Sequence, residues 1–105
     1  MFVSIKGGSY ANFQRALKGG NLTMIRAAAT ELPAINLEDA LRVCVVVADE
    51  RPDLFEKAAL RWSARYCLER KDASLDGLRQ AAEAFARLDA DREEALATLH
   101  RLSRL

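Results

Sequence analysis

The feature that most constrains the fold is an unbroken apolar run at residues 43–48, with the sequence VCVVVA. Asn36 precedes it as a helix N-cap, and Asp39 stands where a capping box has its acidic residue. These signals predict a helix over residues 37–50, and a helix that is apolar on every face is buried on every face. Valine also favours strands, but the sequence offers only residues 2–5 as a second strand-like piece. We therefore predict a central helix.

Cap and breaker residues divide the rest of the chain into five more helical segments. Serine and asparagine are preferred N-caps, and glycine and proline end helices. The predicted helices are residues 10–18 (after Ser9, ended by Gly19 and Gly20), 22–32 (after Asn21, ended by Pro33), 52–70, 75–88 (after Ser74) and 91–104. Residues 1–8 are predicted to form an extended or frayed lead-in, and residues 9–105 a single helical domain. The predicted fold class is all-α, a compact bundle of about six short helices in three antiparallel pairs, with the third helix central.

Apolar residues at helical spacing predict which face of each helix turns inward. The predicted inward stripe of the fourth helix is Phe55, Ala59, Trp62, Ser63, Tyr66 and Cys67. That of the fifth helix is Leu75, Leu78, Ala82 and Phe85.

The charge balance of the chain argues against strongly electrostatic partners. Sixteen basic and fifteen acidic residues give a formal net charge of +1, whereas many nucleic-acid-binding domains carry a clear basic excess. The same balance argues against binding to an anionic membrane surface, and no apolar run reaches the ~20 residues of a membrane-spanning helix. The start of the chain lacks the features of a signal peptide. We therefore expect a cytoplasmic protein without a membrane partner.

Catalytic and metal-ligating residue types are sparse. Cys44 and Cys67 lack CxxC spacing and a nearby histidine, so we predict two reduced, mostly buried thiols and no zinc site. The single histidine, His100, lies near the end of the last helix, where we expect a surface residue without a catalytic partner. Adjacent acidic residues such as Glu38 and Asp39 suit helix capping and solvation, because neighbours on a helix do not share a face. We predict no cofactor, no metal and no enzymatic activity.

The glycine turn at residues 18–21 invites two further interpretations. It precedes a helix N-terminus, as phosphate-binding loops do, but it lacks the Walker spacing and its lysine signature. Ala16 and Gly20 also have the spacing of a helix-turn-helix motif. In that motif Arg26 falls at a position that favours a buried aliphatic residue, and the following helix offers few groups to a major groove.

The most distinctive predicted surface lies on the fourth helix. Lys57, Arg61 and Arg65 recur every four residues and so line one face, and Trp62 and Tyr66 lie on the adjoining face. Basic residues beside aromatic rings are typical of single-stranded nucleic-acid platforms. Arginine and tryptophan are also enriched at the energetic centres of protein interfaces. These five residues are the candidate partner-binding site.

A structural interpretation of the same residues competes with this one. Asp53 and Glu69 bracket the basic row at four-residue spacing, which predicts a solvated face with ion pairs between successive turns. Trp62 and Tyr66 also belong to the predicted inward stripe of that helix. The sequence leaves both interpretations open.

Three strings resemble a group of small, uncharacterised helical proteins from high-GC bacteria, across roughly residues 13–70. The strings are ALKGGNL at residues 16–22, LEDAL at 37–41 and AALRWSARY at 58–66. The resemblance implies an intracellular bacterial helical domain and assigns no functional residues.

Together these observations predict a non-enzymatic interaction protein or small regulatory helical domain. Its partner is another protein or a second copy of itself, because a homodimer is one way to cover the central apolar helix. The alternative is a nucleic-acid-binding regulator that uses the basic row or the first helical pair.

Overall fold

A computed structural model describes the backbone of residues 2–104 and the side chains of residues 8–104. Its elements are α1 (Phe2–Gly19), α2 (Leu22–Ala29), α3 (Leu37–Glu50), a 3₁₀ turn (Pro52–Leu54), α4 (Phe55–Glu69), α5 (Leu75–Ala86) and α6 (Arg92–Arg104). The described residues thus form six α-helices and no strand, which confirms the predicted all-α class. The apolar run that could also have been a strand is helical.

Three of the four predicted N-caps form as local hydrogen bonds, whereas Ser9 lies inside α1 and does not begin it. Asn21, Asn36 and Ser74 each accept a hydrogen bond through a side-chain oxygen from the backbone N–H three residues later, at 3.1, 2.7 and 3.0 Å. Each bond satisfies a donor that the first helical turn leaves unpaired. After α1, Gly20 adopts a left-handed conformation with φ of 70°, as the predicted glycine stop requires.

Two helix boundaries differ from the prediction. The backbone of residues 2–8 is helical, so the expected extended lead-in is wrong for these residues, and Met1 lies outside the described part. Glycines in this stretch destabilise a helix by only about 0.5–1 kcal/mol each, which is too little to end it. The second difference is the C-terminal end of α2. The helix ends at Ala29, earlier than expected, and a turn connects it to Pro33.

Helix α3 is the hub of the bundle, as predicted. The closest helix pairs are α1 with α2, α3 with α4 and α5 with α6, and α3 also contacts α1, α2 and α6. Two faces of α3 pack into different apolar clusters. Leu41 and Cys44 pack into the larger one, whereas Val43 and Val46 pack against the smaller one.

The larger cluster, called the main core below, lies among α3, α4, α5, α6 and their connections. Its buried members are Leu37, Leu41, Cys44, Ala59, Trp62, Tyr66, Ala81, Ala84, Phe85, Leu88, Ala95, Leu99 and Leu102. The smaller cluster, called the small core, joins α1 and α2 to α3 through buried Phe13, Leu17 and Ile25.

The inward face of α5 differs from the predicted stripe. Phe85 is buried as expected, but Leu75 is 86% exposed and Ala82 is also exposed. The face that packs inward carries Gly77, Ala81 and Ala84 beside Phe85. A Cβ built on Gly77 would collide with the Tyr66 hydroxyl, so α5 approaches α4 closely through its smallest residues. The predicted stripe followed the spacing of Leu75, Leu78, Ala82 and Phe85, whereas close approach to α4 requires small residues on the facing side of α5.

The predicted stripe of α4 is largely confirmed. Ala59, Trp62 and Tyr66 are buried, and Phe55 and Ser63 are partly buried. Cys67, expected to be mostly buried, is exposed.

Candidate functional site

The basic row on α4 forms, but without most of the predicted ion pairs. Asp53 pairs with Arg51 at 2.8 Å and not with Lys57. At the other end of the row, Arg65 pairs with Glu69 at 2.6 Å. Lys57 and Arg61 are exposed and form no ion pair within residues 8–104. The predicted salt-bridged face therefore exists only at its C-terminal end.

The two aromatic residues of the candidate site belong to the main core. Trp62 and Tyr66 are 2% and 3% exposed. Their rings stack with centroids 6.0 Å apart, and Trp62 meets Phe85 edge to face. The Trp62 indole Nε1–H donates to the Leu37 carbonyl at 2.9 Å. Neither ring offers a free face, so the prediction that they form part of an exposed basic–aromatic surface is corrected.

A groove of about 410 Å³ lies between α2, α3 and α4. This volume lies within the ~300–1,000 Å³ of typical ligand-binding clefts. Its floor is mainly apolar and includes Ile35, Val43, Cys44, Val47, Ala58 and Trp62. We call this cleft the α2–α4 groove.

Four cations surround the floor of the α2–α4 groove. Lys57, Arg61 and Arg65 come from α4, and Arg26 comes from α2. Among the described residues that line the groove there is no acidic side chain. Like Lys57 and Arg61, Arg26 is exposed and has no ion pair within residues 8–104. An apolar floor with uncompensated positive charge at its edge is suited to an amphipathic, acidic occupant.

Sequence reasoning did not place Arg26 in the site. It noted this arginine only as a poor fit to a helix-turn-helix motif. The α4 row was visible because its members repeat every four residues on one helix. Arg26 lies on a different helix, and nothing in the spacing along the chain indicates that α2 and α4 flank the same groove.

Arg65 differs from the other three cations because it is held in place. Its guanidinium donates to the Ile35 carbonyl at 2.7 Å as well as to Glu69. This contact ties the segment before α3 to α4. Arg65 therefore shapes the groove wall, and its charge is already compensated.

The Cys44 thiol at the floor of the groove is not a reactive group at neutral pH. Its Sγ lies 3.6 Å from the Ala58 carbonyl as a weak donor. Burial raises the pKa of Cys44 to about 12, and the nearby charge of Arg65 opposes this only in part. A nucleophilic cysteine needs the opposite shift. Cys44 and Cys67 are both free thiols.

Asp39 lies in a polar cluster outside the groove. Its carboxylate accepts hydrogen bonds from Tyr10 Oη at 2.9 Å and Gln14 Nε2 at 3.3 Å, and lies 3.5 Å from Arg42. The hydrogen bond to Asp39 raises the pKa of Tyr10. The expectation that Glu38 and Asp39 are solvated is corrected for Asp39, which is 5% exposed. This cluster, called the α1–α3 clamp, attaches α1 to α3.

The remaining chemical candidates do not converge on a site. His100 is partly buried, not fully at the surface as expected, and its Nδ1 has no hydrogen-bond partner among the described residues. Within the described part of the chain, no three histidine, cysteine, aspartate or glutamate residues are grouped to hold a metal ion. None of the helices described has the length and apolarity needed to cross a membrane.

Comparison of the chain with protein-family models, with curated proteins and with solved structures gives no match.

Proposed function

We propose that this chain is a non-enzymatic interaction protein that binds a protein partner in the α2–α4 groove. The observation that carries the proposal is the set of three cations without ion pairs, Arg26, Lys57 and Arg61, beside an apolar floor. Exposed apolar surface favours a partner that covers it. Unpaired positive charge favours a partner with negative charge and accelerates its approach.

Charge also favours a different protein over a second copy of this chain. The commonest homodimers bring the same patch of both copies together. Such a dimer through the groove would place Arg26, Lys57 and Arg61 of both copies side by side, and like charges at an interface oppose association.

A nucleic-acid partner is the second candidate, since the same cations suit phosphates. Platforms for single strands also stack bases on exposed rings. The burial of Trp62 and Tyr66 therefore supports the protein partner over this alternative.

The test is site-specific photo-cross-linking in cells with the full chain. Benzoylphenylalanine replaces the uncharged, half-buried Leu54 at the groove, and a matched chain carries it in place of Ala82, which is exposed on α5. We expect a protein adduct from the groove position alone, unchanged by nuclease treatment. The adduct should be lost when Arg26→Glu and Arg61→Glu are added, and retained with Lys71→Glu and Arg101→Glu.

Two results would overturn the proposal. Adducts that are identical from both cross-linker positions would show that the groove has no selective partner. An adduct that nuclease destroys would assign the groove to nucleic acid.

A further inference from the structure

We infer that the segment bound in the α2–α4 groove is a short α-helix with one apolar face and carboxylates one turn apart. The inference rests on the proposed function and adds the chemistry of the partner.

The first argument concerns the backbone of the occupant. The groove is walled by α2, α3 and α4, and beyond the first turn of each helix the amides pair within the helix. The Ile35 carbonyl at its wall is occupied by Arg65. An extended peptide obtains its affinity from main-chain bonds to a sheet edge, and the described residues contain no strand. Buried backbone groups need partners, and a helix supplies its own.

The second argument concerns the floor. Val43 and Val47 lie one turn apart on α3, and Ala58 of α4 lines the same groove. Together with the other floor residues they form an apolar strip. An amphipathic helix places apolar side chains at the same one-turn spacing on one face. That face would cover the strip and bury the apolar surface of both partners.

The third argument concerns the positions of the free charges. Lys57 and Arg61 lie one turn apart on α4, or about 6 Å along its axis. Carboxylates four residues apart on a helix running beside α4 have the same rise and would face both cations. Arg26 approaches from the α2 side, so a third carboxylate on the other flank of the occupant would meet it. Arg65 is excluded because Glu69 already neutralises it.

The length of the groove limits the length of the occupant. The α4 residues that line it run from Lys57 to Arg65, about 12 Å of helix. A bound helix of about three turns, or roughly 11 residues, spans this distance with one turn to spare.

The probe is a fluorescein-labelled 15-residue synthetic peptide with leucines on one helical face and glutamates flanking them at four-residue spacing. Two control peptides share its apolar face. One carries glutamine at each glutamate position, and the other carries a central proline that breaks the helix. Binding to the full-length protein is measured by fluorescence anisotropy, with the emission of Trp62, the single tryptophan, as a second readout.

We expect the acidic helix to bind about tenfold more tightly than the glutamine peptide, since each partly exposed charge pair contributes about 0.2–1 kcal/mol. The proline peptide should bind weakly. In the protein, Arg26→Gln with Arg61→Gln should remove the preference for glutamate and leave the glutamine peptide unaffected. Lys71→Gln with Arg101→Gln is the charge-matched control and should change nothing.

The inference is overturned if the acidic peptide does not bind, or if the glutamine or proline peptide binds equally well. Dodecanoate, a fatty acid with an apolar chain and one carboxylate, is the competitor. Displacement of the acidic peptide by a lower concentration of dodecanoate would also overturn the inference. The cross-linking result separates this failure from failure of the proposed function. A nuclease-resistant protein adduct at position 54, with no preference for the acidic helix, rejects only the helix inference. If no nuclease-resistant protein adduct forms at this position, both the helix inference and the proposed function are rejected.

Discussion

The main core and the small core hold their helices in different ways. Among the described residues, the main core has thirteen buried members from α3 to α6, whereas the small core has three. The helices α1 and α2 are attached to α3 by this small cluster and by the polar α1–α3 clamp around Asp39. Regions with little buried apolar surface open at lower free energy than the whole fold.

The difference matters for function because the α2–α4 groove lies where the two regions meet. Its wall on one side is α2, from the less well-packed region, and on the other side α4, from the main core. We infer that the α4 side of the groove is rigid and that the α2 side unfolds locally at lower free energy. The predictions below test that contrast.

The largest effect is expected from Trp62→Ala, which should lower the free energy of unfolding by about 3–5 kcal/mol. The substitution removes a ring that is 2% exposed and the hydrogen bond of its Nε1 to Leu37. Urea denaturation followed by far-ultraviolet circular dichroism measures the change. Trp62→Phe, which keeps an aromatic ring, is the milder variant should the alanine variant not fold.

The matched substitution in the small core is Phe13→Ala, since Phe13 is fully buried. Its local cost is of similar size, about 3–5 kcal/mol, but we expect it to release α1 and α2 only. Amide hydrogen exchange should accelerate in these two helices while α5 and α6 keep their protection. Equal loss of protection in all six helices would show that the two cores unfold as one unit.

The next effect tests the close packing of α5 on α4. Gly77→Ala should destabilise the protein by about 1–3 kcal/mol, because the added methyl group collides with the Tyr66 hydroxyl and lies 3.0 Å from Tyr66 Cζ. Adding Tyr66→Phe should recover part of the loss. Gly8→Ala is the control, since nothing lies within 4 Å of that position in α1, and it should stabilise by about 0.5–1 kcal/mol. Equal effects of the two alanine variants would reject this packing.

Two neighbouring carboxylates on α3 give a smaller test of the same contrast, because one contacts α1 and the other contacts α6. Asp39→Ala breaks the α1–α3 clamp and should cost about 1–3 kcal/mol. Glu38 instead pairs with Arg104 of α6 at 3.1 Å and is 42% exposed, so Glu38→Ala should cost at most about 1 kcal/mol. Thermal unfolding gives both values, and hydrogen exchange should accelerate in α1 for the Asp39 variant alone. Equal costs would contradict the role of the clamp.

The smallest effect depends on pH and concerns the contact between α3 and α6. Hydrogen bonds from Arg92 hold the pKa of Asp49 below its usual value in the folded protein. Asp49 therefore stabilises the fold above its unfolded pKa of ~3.9, and this contribution is lost as the pH falls through the lower folded pKa. Asp49→Asn should cost about 0.2–1 kcal/mol at neutral pH, because both partners are partly exposed.

The cost of Asp49→Asn should vanish in strong acid, where the wild-type carboxyl is protonated too. Asp89→Asn is the control, because Asp89 is 98% exposed and 4.0 Å from Arg92. Thermal unfolding across the acidic range measures both variants. A cost that does not change with pH would mean that the Asp49 side chain acts through packing and not through its charge.

Local features of the sequence predicted the starts of α2, α3 and α5, and missed the start of α1 and the end of α2. The caps at Asn21, Asn36 and Ser74 involve residues three apart, so the sequence contains both partners. Gly7 and Gly8 do not interrupt α1, because glycine inside a helix is only mildly unfavourable.

The candidate site was predicted in part. The α4 cations were identified because they repeat on one face, and Trp62 and Tyr66 were left between a surface and a core interpretation. Helical spacing shows that these rings lie on one side of α4, but not which side another helix covers. The structure places both rings in the main core.

The sequence by itself determined the all-α class, the N-caps of α2, α3 and α5, and the central role of α3. The caps depend on residues close together in the chain, and the apolar run in α3 can only be accommodated where other helices cover it. The tertiary structure decided that Arg26 joins Lys57 and Arg61 around one groove, and that Gly77 and not Leu75 faces the core. Both outcomes depend on how closely separate helices approach. The distance between two helices depends on the sizes of the facing residues on both of them, so the sequence pattern of one helix does not predict it.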